Sequence, residues 1–146
     1  AGRSARTGAG RRRHGRLAMS HDKPHVYADA EIAAKLGIGS YHRHVLLCTG
    51  PTCCTPEAGL AAWEVLKQSV KDRGLGVGPN ACYRTKVGCL RICCEGPTAV
   101  VYPEGTWYRG MTAERIPRFV EEHLVEGRPI REWIFADNAL PHSDDV

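Results

Sequence analysis

Six of the seven cysteines fall in two short stretches, CTGPTCC at Cys48–Cys54 and GCLRICC at Gly88–Cys94. Each opens on a single cysteine and closes on a doublet. Thiols concentrated in two places imply one shared site only if the fold brings both places to the same point. The flanking residues allow this. HVLLC (His44–Cys48) is a short apolar run ended by Thr-Gly-Pro and is predicted to be a buried strand. CYRTKV (Cys82–Val87) alternates with period two and is predicted to be a second strand. Both cysteine stretches therefore follow strands, and a helix between parallel strands would place them at the same sheet end.

The segment between them has that helix. In TPEAGLAAWEVLKQSVKDRG, Thr55 suits the N-cap, Pro56 the first helical position and Gly74 the stop. Gly59, Ala62, Trp63, Leu66 and Val70 form one apolar stripe, with Glu64, Lys67, Gln68 and Lys71 opposite. GLGVGPNA follows a helix instead of a strand, so it is read as a connection and not as a dinucleotide loop. TAVVY, PEG and TWYRG predict a hairpin around a Pro–Gly turn. A last helix follows Thr112, with Ile116, Phe119, Val120 and Leu124 on one face and Pro117 confining the helix proper to the residues after it. A short helix is expected around Ala28–Leu36, and GRPIREWIF closes the domain. The order is that of a small α/β layer fold with a mixed sheet.

Charge narrows the function. Residues 1–18 hold six arginines and no acid; without them, 14 bases face 16 acids, so residues 19–146 carry −2 instead of the chain's +4. No basic patch with interleaved aromatics continues past residue 18, which argues against a nucleic-acid surface. Residues 1–40 are expected to be a disordered Arg-rich tail and leader with the true start at Met19, residues 41–135 the folded domain and residues 136–146 a disordered polar tail. No apolar run approaches the ~18 residues of a membrane span. A chain with no secretory apolar core and an odd number of cysteines is expected in the cytoplasm, where thiols serve metal or redox chemistry more often than disulfides.

The spacings are Cys48-x4-Cys53 (or x5 to Cys54) and Cys89-x3-Cys93 (or x4 to Cys94), with no C-x-x-C. Thiolates so spaced suit an iron–sulfur cluster, a zinc ion or redox cysteines, and spacing leaves all three open. Cys82 within a strand is expected to act as a small apolar residue. His44 as a metal ligand is disfavoured because four cysteines are already present.

HVLLCTGPTC followed by a helix, then VGCLRICCEGPTAVVYPEGTWYRGMT and VEEHLVEGRPI, resembles the thioredoxin-like 2Fe–2S ferredoxins over about residues 42–135. The resemblance implies a thioredoxin-like fold, a small mixed sheet with flanking helices, holding one 2Fe–2S cluster in surface loops. In that family the last ligand lies three residues before the Gly of Gly-Pro, which selects Cys93 over Cys94; the x4 form of the first pair selects Cys48 and Cys53. The implied ligands are Cys48, Cys53, Cys89 and Cys93, with Cys54 and Cys94 as extra thiols and Cys53 the most exchangeable of the four. The implied activity is one-electron transfer to a redox partner protein, not catalysis, by a homodimer without nucleic-acid or membrane partners. All-cysteine plant-type clusters sit near about −400 mV, so a low potential is expected. Backbone N–H groups of TGPT and LRI are expected to donate to the sulfurs, and Arg91 to offset cluster charge or meet an acidic partner. Two alternatives share some of the pattern: a small 2Fe–2S subunit of an NADH dehydrogenase or hydrogenase complex, which carries a helical domain ahead of its first cysteine, and a zinc-stabilised binding module.

Overall fold

Residues 28–141 are described by a computed structural model. The Arg-rich segment and the Met19 start lie outside the described residues. β1 (Arg43–Cys48) and β2 (Cys82–Val87) pair in parallel, with Arg43 opposite Cys82 and Cys48 opposite Val87. Between them runs α2 (Pro56–Asp72), so a strand–helix–strand unit carries both cysteine stretches to one end of the sheet. β1 also pairs antiparallel with β3 (Ala99–Tyr102), β3 with β4 (Thr106–Tyr108), and β4 with β5 (Ile134–Asp137). The five-stranded sheet runs β2-β1-β3-β4-β5. The preceding α1 (Ala28–Lys35) buries none of its residues.

α2 forms where its sequence signals place it. Thr55 is extended, and its side chain accepts a hydrogen bond from the Ala58 N–H at 3.2 Å, satisfying one of the donors a helix start leaves unpaired. Gly59, Ala62, Leu66 and Val70 are buried, while Trp63 is half-buried with the Lys67 ammonium 5.8 Å above its ring. The stripe packs on Val45 and Leu47 of β1 and on Ala99 and Val101 of β3 in one core with Tyr108, Ile116 and Phe119. Each fully buried Leu or Val there contributes roughly 1.5–3 kcal/mol.

Two features differ from the sequence expectation. Pro117 does not confine the last helix to the residues after it. α3 begins at Ile116 (Ile116–Phe119), with Pro117 in the first turn, where the missing N–H would have had no intrahelical partner. The backbone then widens into a π-helical turn over Val120–Val125, which keeps Val120, His123 and Leu124 buried together. The closing stretch also contributes a strand: a 3₁₀ turn at Arg131–Trp133 leads into β5, which reaches Ala136 and Asp137. Four residues carry little periodicity of their own, and β5 is ordered by the free edge of β4.

At the end of the sheet away from the cysteines, a polar group is built into the core. His123 is fully buried. The Tyr108 hydroxyl lies 2.7 Å from its Nδ1 and accepts the Ile130 N–H at 3.2 Å. Glu104 Oε1 lies 3.7 Å from His123 Nε2 and accepts from Arg43 Nε at 2.5 Å. Burial is the main reason the His123 imidazole is held down to about 4, with Glu104 opposing and Arg43 reinforcing the shift. Burial also pushes the Tyr108 phenol up to about 12.

Loss of Leu66 as Leu66→Ala is expected to cost about 2–5 kcal/mol, and Thr55→Ala about 1 kcal/mol, in urea unfolding followed by circular dichroism. Between pH 6.5 and about 4, unfolded His123 is protonated and folded His123 is not. Stability is therefore present above pH 6.5 and lost as pH falls toward 4, by roughly 3 kcal/mol from this group at the limit. His123→Gln should be less stable at neutral pH and show a flatter dependence over that window in the same unfolding assay.

Candidate metal centre

β1 ends on Cys48, whose backbone N–H bonds the Thr98 carbonyl at 2.8 Å across the antiparallel neighbour. The next amide, Thr49 N–H, bonds Val87 O at 3.0 Å. The two cysteine loops therefore leave the sheet side by side. They then touch through backbone. A Cβ at Gly50 would lie 1.8 Å from Gly88 O, and one at Gly96 would lie 2.2 Å from both the carbonyl oxygen and the Sγ of Cys53. Neither gap admits any side chain, so glycine is required at both crossings.

Side chains reach across as well. Cys53 is buried, its Sγ 3.5 Å from the Thr98 hydroxyl, which itself donates to Ile92 O at 3.5 Å. In the other direction, the Thr52 hydroxyl of the first loop donates to Cys93 Sγ of the second at 3.3 Å. Within the second loop, the Arg91 N–H donates to Cys89 Sγ at 3.2 Å. Arg91 and Glu95 adopt left-handed conformations, φ 66° and 50°, uncommon for non-glycine residues. The loop is anchored behind by Gly110 N–H to Glu95 O at 2.6 Å and Met111 N–H to Pro97 O at 2.8 Å.

The sequence-derived candidates thus divide by depth. Cys48 and Cys53 are buried; Cys89 and Cys93 are exposed. Cys54 is half-buried: its Sγ lies 3.9 Å from Gly50 O and 4.0 Å from Cys48 O, against Gly59 in the first turn of α2. Burial, and after it the neighbouring Cys53 and Cys48 sulfurs, push its thiol up. Cys94 is exposed beside Ile92, Arg109 and Phe135. Cys82 is buried in β2, and burial pushes its thiol up to about 12. His44 points away from this cluster of loops into Thr85 (Nε2 to Oγ1, 2.9 Å) and the rings of Tyr41 and Tyr83. Among the described residues, no three Cys, His, Asp or Glu side chains converge on a single-ion position; the four candidate sulfurs stand as one pair per loop.

The donor set suits a group bound by thiolates. Two side-chain hydroxyls and a backbone N–H already reach three of the four sulfurs, and the fourth, Cys48, ends the strand beside them. The Thr52 hydroxyl and the Arg91 N–H donate to their sulfurs, and donors of this kind compensate thiolate charge that burial would otherwise destabilise. Thr52 and Thr98 are the sulfur-contacting residues that residue type and spacing did not single out. Their signal in the sequence is only adjacency, one threonine before the first doublet and one after Gly96–Pro97.

No family model matches the chain. The chain is 46% identical over 95 residues to a 2Fe–2S ferredoxin of Clostridium pasteurianum, covering 60% of this chain and 90% of that one. It is 37% identical over 57 residues to a 2Fe–2S ferredoxin of Aquifex aeolicus, covering 39% of this chain and 51% of that one. The solved structure of a thioredoxin-like [2Fe–2S] ferredoxin from Aquifex aeolicus superposes with a TM-score of 0.58 at 24% identity, over 69% of this chain and 96% of that one, a likeness of fold. With a relative this similar over nearly its whole length, and with paired cysteine loops on that fold, the chain belongs to the thioredoxin-like 2Fe–2S ferredoxin family.

Proposed function

We propose that Cys48, Cys53, Cys89 and Cys93 hold one 2Fe–2S cluster across the two loops, and that the protein carries single electrons to and from a redox partner protein. The observation that carries this reading is the crossing of the loops: Cys53 Sγ faces Gly96 and Thr98 of the second loop, and Cys93 Sγ faces Thr52 of the first. When bound, the cluster supplies a one-electron couple, about −400 mV in all-cysteine plant-type centres.

The chain's own residues supply the rest. The Gly50 and Gly96 crossings hold the sulfur pairs at fixed separation, and the buried pair is screened from water by the sheet end. The exposed pair, Cys89 and Cys93, gives an electron its shortest route to a docked partner. Arg91 sits between them in sequence and is exposed, and its charge offsets that of the thiolates. Cys54 packs against α2 and is left out of the ligand set. Substrate chemistry belongs to the partner in this reading. No helix among the described residues is long and apolar enough to cross a membrane. A reducing compartment, the cytoplasm, keeps the surplus thiols Cys54, Cys82 and Cys94 reduced, and the family resemblance implies a homodimer.

Protein purified anaerobically is expected to contain iron and acid-labile sulfide in equal amounts, with visible absorption that bleaches on reduction. A colourless protein with stoichiometric zinc would overturn the reading. Cys48→Ser, Cys53→Ser, Cys89→Ser and Cys93→Ser should each lose or change the visible spectrum, while Cys54→Ser, Cys82→Ser and Cys94→Ser keep it. Loss with Cys54→Ser and retention with Cys53→Ser would move the first pair to Cys48 and Cys54.

A further inference from the structure

Thr98 is fully buried, and its hydroxyl stands between two groups, Cys53 Sγ and Ile92 O, each at 3.5 Å. A hydroxyl has one proton to donate and two lone pairs to accept with. While Cys53 is a thiol, both bonds can be made at once: S–H donates to Thr98 Oγ1, and Thr98 O–H donates to Ile92 O. Metal binding requires the thiolate, and the thiol proton leaves to solvent. The sulfur can then only accept. The single Thr98 proton lies between a neutral carbonyl and an anionic sulfur, and the charge-assisted bond is the stronger one.

The threonine is also held where it can do this. Its carbonyl accepts the Cys48 N–H at 2.8 Å, so the backbone at Thr98 is fixed at the end of the β1–β3 ladder. Its hydroxyl is closed off from bulk solvent. Thr52, the other hydroxyl on a candidate ligand, is exposed and shares Cys93 Sγ with solvent. We infer that Thr98 is a positioning residue for electron transfer, donating its hydroxyl proton to Cys53 Sγ in the loaded protein and thereby stabilising the added electron and raising the reduction potential. This rests on Cys53 being a ligand, as proposed above.

The test is the midpoint potential of the cluster-loaded full chain, measured by optical redox titration, with resonance Raman spectra in H₂O and D₂O. Thr98→Val keeps the shape and removes the donor; reduction should become about tenfold less favourable, ~59 mV more negative for one electron, and a D₂O shift of an Fe–S(Cys) stretch should disappear. Thr98→Ser keeps the donor and should hold the potential near the parent's, and Thr52→Val should shift it less than Thr98→Val. If Thr98→Val does not load, Thr98→Ala read against Thr98→Ser decides by the same two measurements. A parental potential in the Val or Ala variant, or an equal shift in the Ser variant, would overturn the inference. Cys53→Ser, run alongside, separates the two proposals: an unchanged visible spectrum removes Cys53 from the ligand set and the Thr98 role with it, whereas a changed spectrum with an unmoved Thr98→Val potential removes the Thr98 role alone.

Discussion

The close backbone approach of the two cysteine loops, Gly50 against Gly88 and Gly96 against Cys53, is the constraint on which the site depends. It exists because β1 and β2 are parallel neighbours and both loops leave the same end of the sheet. α2 makes this possible, since parallel neighbours need a crossover long enough to return the chain to its starting end. The apolar stripe of α2 then fastens the crossover to the sheet, and its first turn presses Gly59 against Thr49 and Cys54. One element therefore builds the core and also fixes which way the Cys53–Cys54 doublet faces.

The same geometry addresses the cost of placing thiolates at the edge of a core. An anionic group in low dielectric needs hydrogen-bond donors. Here the donors are a main-chain amide at Arg91 and an exposed hydroxyl at Thr52, while the buried Thr98 hydroxyl accepts from the Cys53 thiol. The left-handed backbone at Arg91 accompanies the turn that aims its own N–H back at Cys89. Hydrogen bonding to sulfur and solvent exposure are the levers that set the potential of such centres, and this site has one sulfur pair on each side of the protein surface.

The far end of the sheet is organised differently. His123, Tyr108, Glu104 and Arg43 tie the π-helical turn to the β3–β4 turn and to the start of β1. Breaking one member leaves another buried without its partner, so this group favours a single packing of the last helix. Arg43 and Glu104 stand at the end of the sheet opposite the cysteine loops, whereas Tyr108 reaches them from its place on β4 opposite Ala99.

Much of this was legible in the sequence. Local signals set the strand before each cysteine stretch, the α2 cap at Thr55 and the Val-rich hairpin, because each rests on contacts between residues close in the chain. Element order allowed the cysteine stretches to meet, on the condition that β1 and β2 were parallel neighbours, which they are. Pro117 misled because proline breaks a helix interior but suits a first turn, and only the packed position of Ile116 shows which applies. β5 was invisible because its partner is the edge of β4, distant in sequence. The sequence by itself determined that two pairs of thiols could meet at one sheet end, since periodicity and crossover length are local properties. Which sulfur of the 53–54 doublet faces the second loop, and which hydroxyls reach the sulfurs, was decided only by tertiary structure, because both depend on backbone crossings between residues about 40 positions apart.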